Sequence, residues 1–264
     1  MMLATDTKTI PKGDWVWETK YDGIRAKVHK CETFVEIFSR SGKNITERFP
    51  EIVKAALEIE NDYVIDGEIV IFDKKGISDF NAISKRTHLT DKTKIKIRSS
   101  KDPAILMVFD LLELDEVNYR NIRYSKRKDK LIDFLVDSGT HFLNNSPRIR
   151  YVSYSNCSGI SEFLKEYKKT GVEGVIFKQP MSVYEDRRSK TWLKYKFKHE
   201  IDVAINKVEL NPAGKKLYCD NDLIVQCSGR QSVEVVAGMI ITVEYLNMTK
   251  NGKYRMPVYK KIVR

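Results

Sequence analysis

Lys20, Asp22, Gly23 and Arg25 stand in a Lys-x-Asp-Gly-x-Arg frame within ETKYDGIRA, residues 18–26. A lysine attacks as its neutral amine with an acceptor for the proton nearby, and a cleft of mixed charge supplies such a setting. If the segment is a strand running into a bend that glycine permits, Lys20 and Asp22 point to the same face. Alone, the frame also reads as a surface strand with scattered charges. More reactive groups follow it in order.

Ser39 and Arg40 end an alternating run at Ser39-Arg40-Ser41-Gly42, where the arginine, taken alone, reads as an exposed turn residue. YVIDGEIVIF, 63–72, is apolar apart from Asp66 and Glu68 around Gly67. Charges within a buried strand need partners, so this is a bulge or turn that lets the acids reach solvent, or a carboxylate delivered into a cleft. Phe109-Asp110 sits in ILMVFDLLEL, 105–114, where an aromatic is ordinarily core. Glu173-Gly174 leads a short apolar strand that ends in Lys178. Lys194 and Lys196 alternate with Leu193, Tyr195 and Phe197, which puts the two lysines side by side on one face; a basic edge strand that resists aggregation has the same pattern.

The elements that must position these groups are strands through 15–39, with period-two alternation in AKVHK and FVEIFSR. A helix is expected over 46–59, with Pro50 in its first turn and Ile52, Ala55, Ala56 and Ile59 along one face. The lysine-rich stretch 85–101 reads as a solvated loop or a track for a phosphate backbone. YSKRKDKLIDFLVD is a helix with Ser125 as N-cap, and ISEFLKEYKK shows Ile160, Phe163, Leu164 and Tyr167 at helical spacing. From Glu200 the texture changes to short strands: IDVAINKVEL, DLIVQC, SVEVV, IITVEYL and PVYKKIV. Turn signals at 211–214, Ser228-Gly229 and Asn251-Gly252 separate them, which fits a small β-barrel of the OB type. The expected class is α+β, with a first domain over 1–198 and a barrel over 199–264.

Composition narrows the function. With 47 Lys+Arg against 36 Asp+Glu the chain carries +11 and a pI near 9.3, which suits a polyanionic partner such as nucleic acid. Four scattered cysteines and four scattered histidines support neither a disulfide framework nor a zinc site, so a reducing cytoplasm is the expected compartment. The first residues hold no apolar h-region and no run is long enough to span a bilayer, so no membrane partner is expected.

In order, these groups resemble the motif series of ATP-dependent DNA ligases, in the covalent nucleotidyltransferase superfamily. The likeness extends from Met2-Leu3-Ala4 to Arg255-Met256-Pro257-Val258-Tyr259, and is greatest to compact bacteriophage ligases and the ligase domain of bacterial end-joining enzymes. It implies an ATP-grasp-like adenylation domain of antiparallel sheets and helices before the OB-fold. It implies ATP and Mg2+ or Mn2+ as cofactors, nicked duplex DNA as partner, and Lys20 as the residue that becomes a lysine–AMP phosphoramidate. Lys194 and Lys196 would hold the α-phosphate, and Asp22 would orient the 3′-hydroxyl or a metal. Glu173 would bind metal, Glu68 ribose with a metal contact, and Arg25 the ribose or the nick phosphate. Phe109 and Ile176 would sandwich the adenine, with Glu18 and Thr19 lining the nucleotide site. Arg40 and Ser39 would meet the 5′-phosphate, and Lys85 and Arg86 the DNA.

Two departures accompany the resemblance. Family members often end in an Arg-x-Asp-Lys segment that orients pyrophosphate; here Arg264, with Lys260 or Lys261, would take that role, or self-adenylylation would be slow. Nothing precedes the transferase domain and no insertion suggests a DNA-encircling latch, so binding is expected to rest on a basic surface and fall steeply with salt. A monomer is expected. The alternatives are an RNA ligase or capping-type nucleotidyltransferase, and a non-catalytic nucleic-acid binder with the same fold. The Ser39-Arg40 element, the Leu-Leu after Phe109-Asp110 and the Arg255-x-Pro257-x-Tyr259 stretch favour DNA ligase over the first.

Overall fold

The computed structural model describes residues 1–139, 147–228, 234–249 and 252–263. The chain divides into two compact units, Met1–Tyr195 and Lys196–Arg264. The first unit opens with β1 (Leu3–Thr7), β2 (Val16–Lys20), β3 (Ile24–Cys31) and β4 (Phe34–Ser39). A 3-10 turn, Thr46–Arg48, precedes α1 (Pro50–Leu57), β5 (Tyr63–Val70), α2 (Phe80–Thr87) and α3 (Lys92–Lys101). Then come β6 (Ile105–Leu114), β7 (Val117–Asn118), α4 (Tyr124–Asp137), β8 (Ile149–Tyr151) and β9 (Tyr154–Asn156). α5 (Ile160–Lys169), β10 (Gly174–Lys178) and β11 (Arg188–Lys196) follow.

These strands build two sheets, ordered β1-β11-β10-β2-β9 and β4-β3-β5-β6-β7, with β8 alongside β6. The main core lies against the second sheet. Alternation in β3 buries Ala26 and Val28, and Ile65, Leu106 and Val108 join them from β5 and β6. Ile52 and Ala56 of α1 and Leu131, Phe134 and Leu135 of α4 complete that cluster, as helical spacing requires. The observed class is α+β.

Several local expectations are corrected. The stretch 85–101 is not one loop: 85–87 end α2 and 92–101 form α3, with only 88–91 between them, because Asp79 accepts from the backbone N–H of Asn81 and Ala82, and Asp91 from that of Lys94. Side-chain caps outweigh a run of like charge. Ser125 is not an N-cap. It lies inside α4, where Tyr124 and Ser125 donate their N–H groups to the carbonyls of Ser182 and Pro180. The helix expected over 46–59 is split at Phe49, with Thr46 Oγ1 instead accepting from the backbone of Ile37.

The second unit is an antiparallel sheet of β12 (His199–Asn211), β13 (Gly214–Cys219), β14 (Leu223–Cys227), β15 (Ile240–Tyr245) and β16 (Val258–Ile262). Its order is β14-β13-β12-β15-β16, and the end strands β14 and β16 touch. The long β12 pairs with β15 over its first half and with β13 over its second. Strand β13 is an addition to the strands expected from the sequence, because GKKLYC alternates only from Lys216 onward. SVEVV is not a strand where it is described: Val235, fully buried, plugs the core from a turn, while Ser232 and Val233 lie outside the described residues. Gly229, Asn251 and Arg264 lie outside them too.

Gly23 and Gly67 are required by close approach rather than by a left-handed bend. A Cβ on Gly23 would lie 2.3 Å from the Ile69 carbonyl oxygen, and one on Gly67 2.7 Å from that of Met107. Both neighbours are strand backbone that cannot rotate away. Gly23→Ala is therefore expected to destabilise the fold by about 1–3 kcal/mol, the usual range for overpacking. Thermal denaturation of the two proteins checks this; an unchanged Tm would contradict it.

Candidate active site

The register of β2 and β10 builds the centre of the site. Lys20 lies directly opposite Gly174 and Glu18 opposite Ile176. Alternation then puts Glu18, Lys20, Ile176 and Lys178 on one face of the first sheet. Glu173, just before β10, accepts a hydrogen bond through Oε2 from the Lys20 ammonium. Glu173 is buried while Lys20 is partly open to solvent, so the pair forms the floor of a cleft.

The second sheet supplies carboxylates and an aromatic. Asp66, fully buried, accepts from Arg25 Nε at 3.0 Å and Nη2 at 2.6 Å, and from the Tyr184 hydroxyl at 2.6 Å. The β5–β6 pairing shifts register between Asp66 and Gly67, so the interruption in this strand is a ladder irregularity whose first acid finds partners indoors. Glu68 is partly buried within the electrostatic reach of Lys20, Arg25 and Glu173. Burial raises its carboxyl to about 8; Glu173 and Asp66 push in the same direction and Lys20 and Arg25 oppose them. Phe109 of β6 is half-buried, edge-on to Trp192 at 5.9 Å, with the Arg25 guanidinium 5.1 Å from its ring.

Below the floor lies a charged interior. Glu18 accepts from Tyr124 and Lys128 of α4, each at 2.6 Å, and pairs with Lys178 at 2.5 Å. Burial alone would raise its carboxyl, but Lys128 and Lys178 hold it below the usual range. Asp110 and Arg127 form a second buried pair, bidentate at 2.7 and 2.9 Å.

Not every expected residue enters the cleft. Thr19 faces the opposite side of its sheet, where its hydroxyl hydrogen-bonds the Tyr167 hydroxyl of α5 at 2.7 Å. Glu18 is buried among its three donors and acts from beneath the surface. Arg86 is not a surface DNA contact: it is 2% exposed and binds both oxygens of Glu51 at 2.9 Å. Lys85 beside it is exposed, as helical geometry dictates for its neighbour. Arg40 is exposed on the turn after β4, and Ser39 Oγ meets Ser41 Oγ. Asp22 donates its backbone N–H to the Ser78 hydroxyl oxygen at 3.0 Å. Lys194 pairs with Asp6 at 3.1 Å, and Lys196 ends β11 on the same strand face. Tyr124, Lys128, Lys178, Tyr184 and Trp192 were missed as site-supporting residues. A lysine closing the apolar GVIFK run was the one available signal.

Comparison with known proteins identifies the lineage. Residues 1–196 match the family model of the ATP dependent DNA ligase domain. The chain belongs to the ATP-dependent DNA ligase family. It is 31% identical over 203 residues to DNA ligase C of Mycobacterium tuberculosis, covering 75% of this chain and 53% of that protein. It is 30% identical over 217 residues to the DNA ligase of Pyrobaculum islandicum, covering 80% of this chain and 36% of that protein. The chain thus spans about half or less of these two relatives. In fold it is similar to mycobacterial DNA ligase D complexed with ATP and MES, with a TM-score of 0.61 at 21% identity over 99% of this chain and 94% of that one. A Lig E DNA ligase gives a TM-score of 0.71 at 16% identity, covering 100% and 99%.

A ligase-family chain keeps Glu68 in the cleft at a measurable cost. With its folded pKa raised, the native state holds a proton that the unfolded chain releases, so this group's contribution to stability falls as pH rises from about 4.5 to about 8. Glu68→Gln removes that dependence. Without nucleotide or metal, the variant is expected to gain on the wild type progressively over this window, by about 1 kcal/mol or more at pH 8, the worth of one pKa unit. Denaturation series at stepped pH measure it; a constant difference would refute the assignment.

Proposed function

We propose that this chain is an ATP-dependent DNA ligase that seals nicks bearing a 5′-phosphate and a 3′-hydroxyl. The observation that carries the reading is Lys20 on the cleft floor, held by Glu173 and flanked by Glu68, with Phe109 on the other sheet. A nucleophilic lysine needs an oriented amine and a proton acceptor, and Glu173 serves both needs. In the first step Lys20 Nζ, as the free amine, bonds to the α-phosphorus of ATP and the bond to pyrophosphate breaks. The 5′-phosphate of the nick then attacks the same phosphorus, the N–P bond breaks and Lys20 is restored. Finally the 3′-hydroxyl attacks the 5′-phosphate and AMP leaves.

Such transfers depend on positioning and on charges that match the phosphoryl oxygens. In this reading Lys194 and Lys196 hold the α-phosphate, Phe109 and Ile176 enclose the adenine, and Arg25, oriented by Asp66, faces ribose or the nick phosphate. Asp22 orients the 3′-hydroxyl and Arg40 meets the 5′-phosphate. Glu68 and Glu173 fit Mg2+ or Mn2+: both are hard oxygen donors, and Glu173 raises the Glu68 carboxyl in a way a bound cation would relieve. Among the described residues no group of three or more metal-binding side chains gathers, and Mg2+ commonly takes two carboxylates with phosphate oxygens and water completing its shell. Bound there, the ion would neutralise charge on the phosphate.

The second unit is read as an OB-fold. Its five antiparallel strands with touching ends support that reading. For the duplex, α3 offers Lys92, Lys94, Lys96 and Lys101 on an exposed helix that contains no acid. Free cysteines suit a cytoplasmic setting, and among the described residues no helix is long and apolar enough to cross a membrane. The chain is proposed to act as a monomer.

The test is sealing of a singly nicked duplex with ATP and Mg2+, beside Lys20→Ala. Sealing by the native chain and none above background by the variant is expected. Equal activity in both would remove Lys20 as nucleophile, and sealing of nicked RNA alone would favour the RNA-ligase alternative.

A further inference from the structure

Lys178 is 1% exposed, yet it is placed where two sheets and a helix meet. On the first sheet its ammonium pairs with Glu18 of β2 at 2.5 Å. On the second it donates to the Phe109 carbonyl at 3.3 Å and lies 4.7 Å from the centre of the Phe109 ring. The Trp192 ring of β11 is 4.1 Å away and the Tyr124 ring of α4 4.8 Å. A single cation therefore binds a carboxylate two residues from Lys20 and, simultaneously, the backbone and ring of the aromatic on the facing wall. Cation–π contacts strengthen when water is excluded, as it is here.

We infer that Lys178 is a positioning residue, the strut that sets the spacing between the wall carrying Lys20 and the wall carrying Phe109. The inference rests on the nucleotide reading only for what fills the cleft. Lys178 touches no reacting atom; it acts through Phe109 and Glu18.

Its charge is adjustable near neutrality. Burial lowers the ammonium to about 8, with Glu18 and Asp110 pulling upward and Lys128 pressing down. The charged and titratable groups around it are Glu18 from β2, Asp110 from β6, Tyr124, Arg127 and Lys128 from α4, and Arg25 from β3, which shares the Phe109 and Trp192 rings. Tyr124 is driven far up by burial and Glu18 is held low, so neither titrates near 8. Glu68 does, and K178R, which leaves Glu68 in place, separates the two groups. Two opposite trends follow above pH 8. The fold prefers neutral Lys178, so stability due to this group rises between about 8 and 10.5, while the grip on Phe109 weakens.

The experiment compares wild type, Lys178→Arg and Lys178→Met from pH 6.5 to 9.5, each first checked for a cooperative melt. ATP affinity is measured calorimetrically in a Lys20→Ala background, and Trp192 emission without nucleotide, with Trp192→Phe as control. Wild type should show an emission inflection near pH 8 that is missing from K178R, K178M and the Trp192→Phe control. Its ATP affinity should fall above that pH; K178R, always charged, should fall less steeply, and K178M should bind ATP roughly tenfold more weakly at pH 7. Wild-type affinity in a folded K178M, or the same emission inflection and alkaline fall in K178R, would overturn the inference. If the wild type binds no ATP but its inflection disappears in K178R, the nucleotide reading fails and the strut stands.

Discussion

The cleft depends on charge buried at the seams between its elements. Glu18 joins β2 to α4 and β10, Asp66 joins β5 to β3 and to Tyr184, and Asp110 joins β6 to α4. Taking such groups out of water is expensive, and their mutual attraction repays it only with good geometry and satisfied lone pairs. Glu18 and Asp66 each meet three donor atoms, which is the condition under which burial is tolerated. These pairs are better understood as geometric constraints than as sources of stability. An apolar seam would pack as well but would leave the spacing of the walls less defined.

Onto this frame the strand register adds the reactive groups. Pairing of β2 with β10 places Lys20 against Gly174, and one residue earlier the chain supplies Glu173. In the second sheet Gly23 and Gly67 let backbones approach within distances that a Cβ would forbid. The result is a lysine with an oriented partner, a second carboxylate whose proton is held by burial, and an aromatic fixed by cations. In the proposed function that combination serves transfer of a nucleotidyl group, in which charge is matched rather than protons shuttled.

The reactive frame was legible in the sequence because each part sits at a break in local pattern. Asp66 and Glu68 interrupt an apolar strand, and Lys20 and Asp22 lie where β2 ends, just before the bend at Gly23. Helices with clear spacing, such as ISEFLKEYKK, were legible for the opposite reason, an unbroken helical period. What escaped depended on partners distant in sequence. Lys178 closes a short apolar strand and Lys128 lies in a basic helix, and nothing local shows that Glu18 stands between them. Arg86 read as a DNA contact because it opens a stretch dense in lysine and arginine; only α1, which brings Glu51, shows that it turns inward. Thr19 sits next to Lys20 in sequence and on the other side of the sheet in space. In the second unit, β13 was hidden by two lysines at its start, whereas the valines of SVEVV read as a strand although Val235 is buried outside any strand.

The most direct test of the central claim is the intact mass of the chain after incubation with ATP and Mg2+, followed by peptide mapping. The account predicts a gain of one AMP located on Lys20 and lost in Lys20→Ala. An unmodified mass, or AMP on another residue, would contradict it.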